Sequence, residues 1–432
     1  MQNRIVGVSL MIAGILAISY GLRSQAQPQA GGTTQQAALR TVGPADRLVL
    51  PPPNATPSNE NRSKVIGWPA GKTPTPLAGF RVAPFADGMT SPRELYTLPN
   101  GDVLVAESPR GGGNQNAGAA SPPSRITLLR DANGDGKPEV REVFIANLNR
   151  PHGMVLVGSR FYVGNTDGVL MFPYQPGQTR IAGSGEKILE LPTGGHYTRN
   201  LAAKPDGSKI YVSVGSRSNV DENGEDAKDS RRAAVLEINP DGSGMRVFAG
   251  GLRNPVGLKF QPGTNTLWTV VNERDRLGDD LVPDIFTSVR EGAFYGWPYT
   301  YYGKNEDPRK KGQRPDLVAK AIAPDYALGP HVAPLGLTFY TGASFPAEYR
   351  NGAFVGLHGS WNRSRFNGYK VVFIPFQNGR PSGDPQDFLT GFVANPADST
   401  VYGRPVGVAV LRDGSLLVAD DGGNVVWRVS KQ

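Results

Sequence analysis

The sequence predicts an all-β protein, a six-bladed β-propeller whose ring is closed by an N-terminal strand. Three observations support this prediction. One motif, a polar lead followed by a short strand, a turn and a second strand, recurs about six times after residue 90. The 55 glycines and 37 prolines are spread along the chain, as many short strands joined by turns require. No segment shows the periodicity of an amphipathic helix, and repeated units of three or four short strands are typical of propellers.

The clearest copy of the motif spans residues 194–215. His196 stands in its polar lead, Pro205-Asp206-Gly207 forms the turn, and the second strand ends in glycine. The leads of the other copies lie at residues 91–95, 149–154, 251–258, 331–337 and 403–408. Each unit then carries one or two further strands, so the pattern predicts six blades.

The N-terminal residues predict export. Residues 1–26 open with Arg4, continue with an apolar run and end in Ser24-Gln25-Ala26, which is typical of a signal peptide, or of a membrane anchor if it is not cleaved. The protein is therefore expected in the periplasm or outside the cell. Residues 27–77 are rich in Pro and Gln and predict a largely disordered linker. Residues 78–432 form the propeller domain, and the isolated strand at residues 80–85 is predicted to complete the last blade.

Composition excludes several classes of function. The formal net charge is +8, yet the longest basic run is Arg309-Lys310-Lys311, so no nucleic-acid partner is expected. The chain has no cysteine, which excludes disulfides, thiolate metal sites and cysteine nucleophiles.

The leads of the repeats predict one functional pocket. The innermost strands of a propeller line its central channel, so their leading residues gather around one end of the axis. The motifs deliver to that rim His152, His196, Arg253, Asn254, His331 and Arg404, with His358 and Arg363 added by the fifth unit. All four histidines of the chain lie in these motifs. Such a pocket could bind an anion and transfer protons; metal binding by the histidines is the alternative.

Two acidic segments are candidate cation sites. Asp131, Asn133, Asp135 and Glu142 follow the spacing of an EF-hand loop, but between strands rather than helices; a plain turn is the alternative. Residues 272–280, which directly follow a strand, could hold Ca²⁺ through carboxylates and backbone carbonyls, or could be a solvated charged loop.

Several of these motifs together resemble the soluble quinoprotein sugar dehydrogenases, and among them the L-sorbosone dehydrogenase-like branch. The resemblance covers about residues 78–430. It rests on residues 196–201 before the Pro205-Asp206-Gly207 turn, Leu252-Arg253-Asn254-Pro255, residues 273–280, Phe294-Tyr295-Gly296-Trp297-Pro298 and Val332-Ala333-Pro334.

The resemblance implies a six-bladed propeller that binds pyrroloquinoline quinone (PQQ) through Ca²⁺. His196 would then be the general base that takes a sugar hydroxyl proton while hydride passes to the quinone. Arg253 and Asn254 would lie against the cofactor, and Arg404, helped by Arg363, would pair with its carboxylates. The backbone carbonyls of Asp275 and Arg276 would coordinate Ca²⁺.

The sequence also departs from the glucose-oxidising members. Gly195 stands where they carry an aspartate, Asp275-Arg276 replaces a Gly-Pro pair, and a family lysine has no counterpart among residues 360–363. His331 replaces a smaller polar residue and is predicted to contact the cofactor.

The functional hypothesis is therefore oxidation of an aldose or aldehyde sugar, such as sorbosone, with PQQ and Ca²⁺. Electrons would leave to a periplasmic acceptor, a cytochrome or a quinone. A metal-dependent lactonase of propeller type and a non-catalytic propeller that binds a glycan or a protein are the alternatives.

Overall fold

The computed structural model describes residues 38–109 and 124–432, so the predicted signal segment lies outside the described residues. The described chain is nearly all β. Its helices are one short α-helix, Pro315–Lys320, and two 3-10 helices, Ala45–Arg47 and Ala347–Arg350. None of these described helices is long and apolar enough to cross a membrane.

Six of the sheets in the described residues contain four or more strands, and they follow one another along the chain. The first consists of Pro92–Thr97, Val103–Glu107, Ser124–Arg130 and Val140–Leu148. The second consists of Met154–Val157, Arg160–Asn165, Gly168–Pro173 and Glu186–Glu190. The third consists of Leu201–Ala203, Ile210–Val214, Ala234–Ile238 and Arg246–Gly250.

The remaining three sheets are extended by strands from elsewhere in the chain. The fourth contains Pro255–Phe260, Leu267–Val271, Pro283–Val289, Tyr326–Pro330 and Gly43–Pro44. The fifth contains Pro334–Phe339, Gly352–Leu357, Lys370–Gln377, Arg380–Pro381, Gln386–Thr390 and Thr75–Pro76. The sixth contains Pro405–Val410, Leu416–Asp420, Val425–Lys431 and Phe80–Ala86. Two small sheets join Lys64–Val65, Thr400–Val401 and Val393–Asn395, and Thr300–Tyr301 with Asn305–Glu306.

The N-terminal strand pairs where the sequence predicts. Phe80–Ala86 runs antiparallel to Val425–Lys431, with Val82 opposite Val429, so the sixth sheet combines strands from both ends of the described domain. The first strand of each sheet contacts the first strand of the next, and that of the sixth contacts that of the first.

The second strand of each sheet is buried at nearly every residue, since it lies between two paired strands and between two neighbouring sheets. Val103–Glu107, Ile210–Val214 and Leu416–Asp420 are buried at every residue. Between the fourth and fifth sheets, Trp268 and Phe286 pack with ring centroids 4.8 Å apart. Burial on both faces explains why these strands read as continuous apolar runs.

The first strands carry the functional leads. Four of them begin with proline, which lacks an N–H and is tolerated at the first position of a strand: Pro92, Pro255, Pro334 and Pro405. Each of these four is followed by a register shift against its neighbour. Such bulges redirect side chains, and here they lie next to the lead residues. Gly407 allows the first strand of the sixth sheet to lie close to the first strand of the first sheet, because a Cβ at this position would lie 2.4 Å from Arg93 O.

The described part of the stretch predicted as a linker differs from that expectation. From residue 39 onward it lies against the sheets: Asn54 N donates to Leu277 O (2.7 Å), and Trp68 Nε1 donates to Asp420 Oδ2 (2.7 Å). The Trp68 ring stacks on Tyr402 with centroids 5.2 Å apart. The segment lacks hydrophobic periodicity because most of its partners are polar groups of loops, which a search for helical or strand patterns does not detect.

Candidate active site

The leads of the repeats converge on one cavity of about 520 Å³. Of the residues predicted at the rim, six line it: His196, Arg253, Asn254, His331, His358 and Arg404. The Asp275 side chain joins them. The prediction that the polar leads share one pocket is therefore met for these side chains.

His196 is held as a neutral base. Its Nδ1 lies 2.8 Å from Ser216 O, and because a carbonyl only accepts, Nδ1 carries the proton and Nε2 keeps its lone pair. Ser216 Oγ lies 3.2 Å from the same nitrogen. Burial, and then the charge of Arg253, lower the pKa of His196 to about 3, against the opposing bond to Ser216 O. The imidazole is therefore in its neutral form at neutral pH, with its one proton on Nδ1.

The backbone explains the glycine that precedes His196. Gly195 has φ +68°, and a Cβ there would lie 2.3 Å from Arg217 Cα. No side chain, and hence no carboxylate, fits at this position. The Ser216 carbonyl supplies the orienting contact instead.

A second group of lining residues is organised by Asp421. This buried carboxylate accepts a hydrogen bond from Arg93 Nη1 and lies 3.0 Å from His358 Nε2 and 3.2 Å from Arg404 Nε. Burial alone would raise the pKa of Asp421, but His358, Arg93 and Arg404 outweigh it and hold that pKa well below its usual range. Two arginines are thus held at the cavity wall on one shared counter-charge.

Arg253 and His331, which also line the cavity, both contact Asp275. Arg253 Nη1 donates to Glu273 O (2.8 Å), and Arg253 Nη2 lies 3.2 Å from Asp275 Oδ2. His331 Nε2 donates to Gly278 O (3.0 Å), while its Nδ1 lies 3.6 Å from Asp275 Oδ1. Burial would lower the pKa of His331, but the contacts to Asp275 and Gly278 raise it overall.

Both backbone carbonyls predicted to coordinate Ca²⁺ accept a hydrogen bond from a side chain. The Asp275 carbonyl already accepts from Asn219 Nδ2 (2.9 Å), and the Arg276 carbonyl accepts from Arg274 Nη1 (3.3 Å). Arg276 is exposed, has φ +71° and does not line the cavity.

Two further carboxylates line the same cavity. Glu273 and Asp284 line the cavity with Asp275. Burial raises the pKa of Glu273 and that of Asp284 to about 7, and charge repulsion within this acidic group adds to the effect. Arg253 and His331 offset this effect only in part, so a cation bound beside these carboxylates would stabilise their charged forms.

Two residues predicted to bind the cofactor lie away from the cavity. His152 is fully buried, and neither ring nitrogen has a hydrogen-bond partner among the described residues. Burial, followed by the charges of Arg93 and Lys259, lowers the pKa of His152 to about 3. Arg363 donates to Asp279 O (3.1 Å) and Asp280 Oδ1 (2.8 Å) and so braces a loop behind the cavity wall. Sequence position alone does not show which side of a lead faces the channel.

The EF-hand-like loop gathers a different set from the one predicted. Oxygens of Asp131, Asp135 and Glu139 lie within 4.8 Å of one another. Glu142, predicted as the last ligand, lies in the strand Val140–Leu148 and pairs with Arg180 at 3.2 Å. Because the strand begins at Val140, before Glu142 at the twelfth position of the loop, it is Glu139 at the ninth position that lies beside Asp131 and Asp135. Asn133 Oδ1 accepts from Asp135 N (2.8 Å).

Sequence reasoning missed several lining residues. Arg93 stands in the lead of the first repeat, so superposing all six leads would have found it. Asp284 lies within the buried strand Pro283–Val289, and Asp421, which holds two lining arginines, directly follows another strand; neither carries a motif of its own. Glu273 stands in the segment 272–280, which was predicted as a candidate cation site. Arg62 and Ser63 also line the cavity, from the stretch predicted as a linker, and no sequence signal indicated them.

Comparisons with known proteins agree with this architecture. A sequence model of the TrAA12-like family matches residues 74–288 and 304–432. A PQQ-dependent pyranose dehydrogenase of Coprinopsis cinerea is 26% identical over 414 residues, which cover 82% of this chain and 54% of that protein. An uncharacterised protein of Borreliella burgdorferi is 36% identical over 236 residues, covering 54% of this chain and 60% of the relative. The chain thus spans little more than half the length of these relatives.

Solved structures share the fold. The holo form of the pyranose dehydrogenase PQQ domain from Coprinopsis cinerea has a TM-score of 0.69 and 22% identity, covering 85% of this chain and 99% of that one. The calcium structure of a Trichoderma reesei family AA12 protein has a TM-score of 0.70 and 19% identity, covering 86% and 99%. At these identities the likeness concerns the fold.

Proposed function

Because the chain belongs to the TrAA12-like family, we propose that it is a PQQ-dependent sugar dehydrogenase that uses Ca²⁺. The substrate is a pyranose or an aldehyde sugar of the sorbosone type. The observation that carries the proposal is the neutral His196. Its Nε2 keeps a lone pair, and the cavity that His196 lines is also lined by Arg93, Arg253 and Arg404. A general base and an anion-binding wall are the protein groups that such a reaction requires.

The residues present fit the cofactor. PQQ carries three carboxylates, and Arg93 and Arg404, held by Asp421, are suited to bind them in bidentate geometry. Arg93 Nε and Asn254 Oδ1 are buried and have no hydrogen-bond partner among the described residues, so a polar ligand would satisfy them. Glu273 and Asp284 supply the oxygen ligands that Ca²⁺ prefers.

The chain's own residues account for the proton chemistry. When bound, PQQ would supply a two-electron oxidant. His196 Nε2 would accept the proton of the sugar hydroxyl, and the Nδ1 bond to Ser216 O would keep the ring oriented as the charge develops. Arg253 would keep the loop that carries Glu273 and Asp275 in place.

The architecture proposed for this activity is a six-bladed propeller with a closed ring. Six sheets in chain order, contacts between successive first strands and the pairing of Phe80–Ala86 with the last sheet support it. We further propose export to the periplasm or the medium, and a cytochrome or quinone as electron acceptor, as residues 1–26 and the family resemblance suggest.

The test is reconstitution. Purified protein is incubated with PQQ and Ca²⁺, and dye reduction is followed with a panel of pyranoses and aldehyde sugars. We expect turnover and a shift of the PQQ absorption spectrum. His196→Asn should keep the spectral shift and lose about 10²–10⁴-fold in kcat, the usual range for a general base. Absence of both turnover and the spectral shift in the unaltered protein would refute the proposal.

One observation favours a second candidate. Asn254, Asn272, Glu273 and Asp284 all line the cavity, and oxygen ligands of these types could hold the metal of a propeller lactonase. Lactone hydrolysis that needs Ca²⁺ but no PQQ would support this alternative.

A further inference from the structure

Residues 54–68 form a wall that lies across the loops bounding the cavity. We call residues 54–68 the strap; they precede the family match, which begins at residue 74. One edge of the strap is bonded to residues 277–279. Thr56 Oγ1 accepts from Asp279 N (2.8 Å), and Ser58 Oγ accepts from Gly278 N (2.7 Å). The strap is therefore part of the domain rather than a tether.

The other edge of the strap is bonded to two loops, one that follows the strand Gly352–Leu357 and one that precedes the strand Thr400–Val401. Asn61 N donates to Trp361 O (2.8 Å), and Asn61 Nδ2 donates to Ser364 O (3.0 Å). Ser399 Oγ donates to Asn61 Oδ1 (2.6 Å). These bonds fix the residue that precedes Arg62, so the backbone at Arg62 is held against the cavity.

The strap brings one arginine to the cavity opening. Arg62 lines the cavity, and its side chain is 67% exposed. The guanidinium lies over the Trp361 ring, with its carbon 4.6 Å from the ring centroid. Stacking on tryptophan leaves the N–H donors at the edge of a guanidinium free to bind a ligand.

Exposure distinguishes Arg62 from the other arginines of the cavity. Arg253 is paired with Asp275, and Arg93 and Arg404 share the buried Asp421; their side chains are 7%, 2% and 19% exposed, against 67% for Arg62. Arg62 lies 3.3 Å from Glu60, but the same carboxylate also pairs with Arg276 at 3.2 Å. Two guanidinium groups thus share one carboxylate at the opening, which leaves one positive charge uncompensated.

We propose that Arg62 is a specificity-determining residue that selects sugars bearing a carboxylate. This inference rests on the proposed function, because it concerns the substrate of the same site. The carboxylate of an acidic pyranose binds the guanidinium edge at the opening, while the reacting hydroxyl reaches His196. The uncompensated charge favours an anionic sugar over a neutral one of the same stereochemistry.

The test compares galacturonate with galactose, two sugars that differ by a carboxylate at C6. The measured quantity is the ratio of their kcat/KM values in the reconstituted protein at low ionic strength. In Arg62→Met this ratio should fall about fivefold, the upper end of the range for an exposed ion pair. Arg62→Lys keeps the charge and should retain most of the preference. In the unaltered protein the preference should shrink as salt is added.

Arg314→Met is the matched control. Arg314 is also exposed and paired with one carboxylate, Asp316 at 2.7 Å, but it does not line the cavity. Its ratio should equal that of the unaltered protein. Provided that galactose is turned over, either of two results would overturn the inference: an unchanged galacturonate-to-galactose ratio in Arg62→Met, or an equal fall of that ratio in Arg314→Met. If neither sugar is oxidised although other sugars of the panel are, the inference is overturned and the proposed function stands. The proposed function fails only if no sugar of the panel is oxidised and the PQQ spectrum does not shift.

Discussion

Replacement of Glu94 by glutamine is expected to change the pH dependence of stability. Glu94 lies in the strand Pro92–Thr97 next to the lead residue Arg93 and is 2% exposed. Neither carboxylate oxygen has a hydrogen-bond partner among the described residues, and Lys259 Nζ is 3.7 Å from Oε1. Burial raises the pKa of Glu94 from 4.5 to about 7, although Lys259 and Arg93 oppose the shift.

The sign and size of the effect follow from linkage. At pH values below 4.5, the ordinary pKa of its carboxyl group, Glu94 is protonated in both the folded and the unfolded protein. It then makes no pH-dependent contribution to the free energy of unfolding. Between 4.5 and about 7 the unfolded chain has lost this proton while the folded chain keeps it, so stability falls as pH rises. The difference between these two pKa values corresponds to about 3 kcal/mol at pH values above about 7. Glu94→Gln removes this loss.

Urea and thermal unfolding at about pH 4 and about pH 8 measure the prediction. The variant should match the unaltered protein at the lower pH and be more stable by up to about 3 kcal/mol at the higher pH. Glu348→Gln, a change on the exposed surface, serves as the control and should stay within about 0.5 kcal/mol. A difference between Glu94→Gln and the unaltered protein that is the same at both pH values would refute the reasoning.

Three further predictions concern the cavity. Because the pKa of His196 is lowered to about 3, kcat/KM should not decrease as the pH is lowered through 6.5, the ordinary pKa of histidine. A decrease at that pH that is absent in His196→Asn would contradict this prediction. Gly195→Ala places a Cβ against Arg217 at a positive φ and should destabilise the protein by about 1–3 kcal/mol, measured by thermal unfolding; an unchanged midpoint would count against the strain. Asp421→Asn leaves Arg93 and Arg404 without their buried counter-charge and should cost about 3–5 kcal/mol, whereas Asp384→Asn, which breaks an exposed pair, should cost about 1 kcal/mol or less. Equal losses in these two variants would contradict the assigned role of Asp421.

The repeated leads were informative because each one precedes a strand at the same place in the fold. His196, Arg253, Asn254, His331 and Arg404 share the cavity as predicted. His152 does not line the cavity. It directly follows Pro151, as the buried Val256 follows Pro255 and the buried Val406 follows Pro405, so its place in the repeat is that of a core residue.

The sequence says little about contacts at the candidate cation ligands. In the structure the carbonyls of Asp275 and Arg276 accept hydrogen bonds from Asn219 and Arg274. In the EF-hand-like loop, Glu142 entered a strand and Glu139 took its place beside the acidic pair. Both outcomes depend on local backbone direction, which spacing along the chain does not report.

The sequence by itself determined the β-rich repeating architecture, because turn residues and strand patterns are local signals that recur in every unit. It also indicated His196, because the polar lead of a strand is a local feature. Only the tertiary structure decided what surrounds that residue. The Ser216 carbonyl orients His196, Asp421 gathers two arginines, and the strap supplies Arg62 from residues that carry no recognisable pattern. These contacts join residues far apart in the chain, so they arise only once the sheets and the strap pack together.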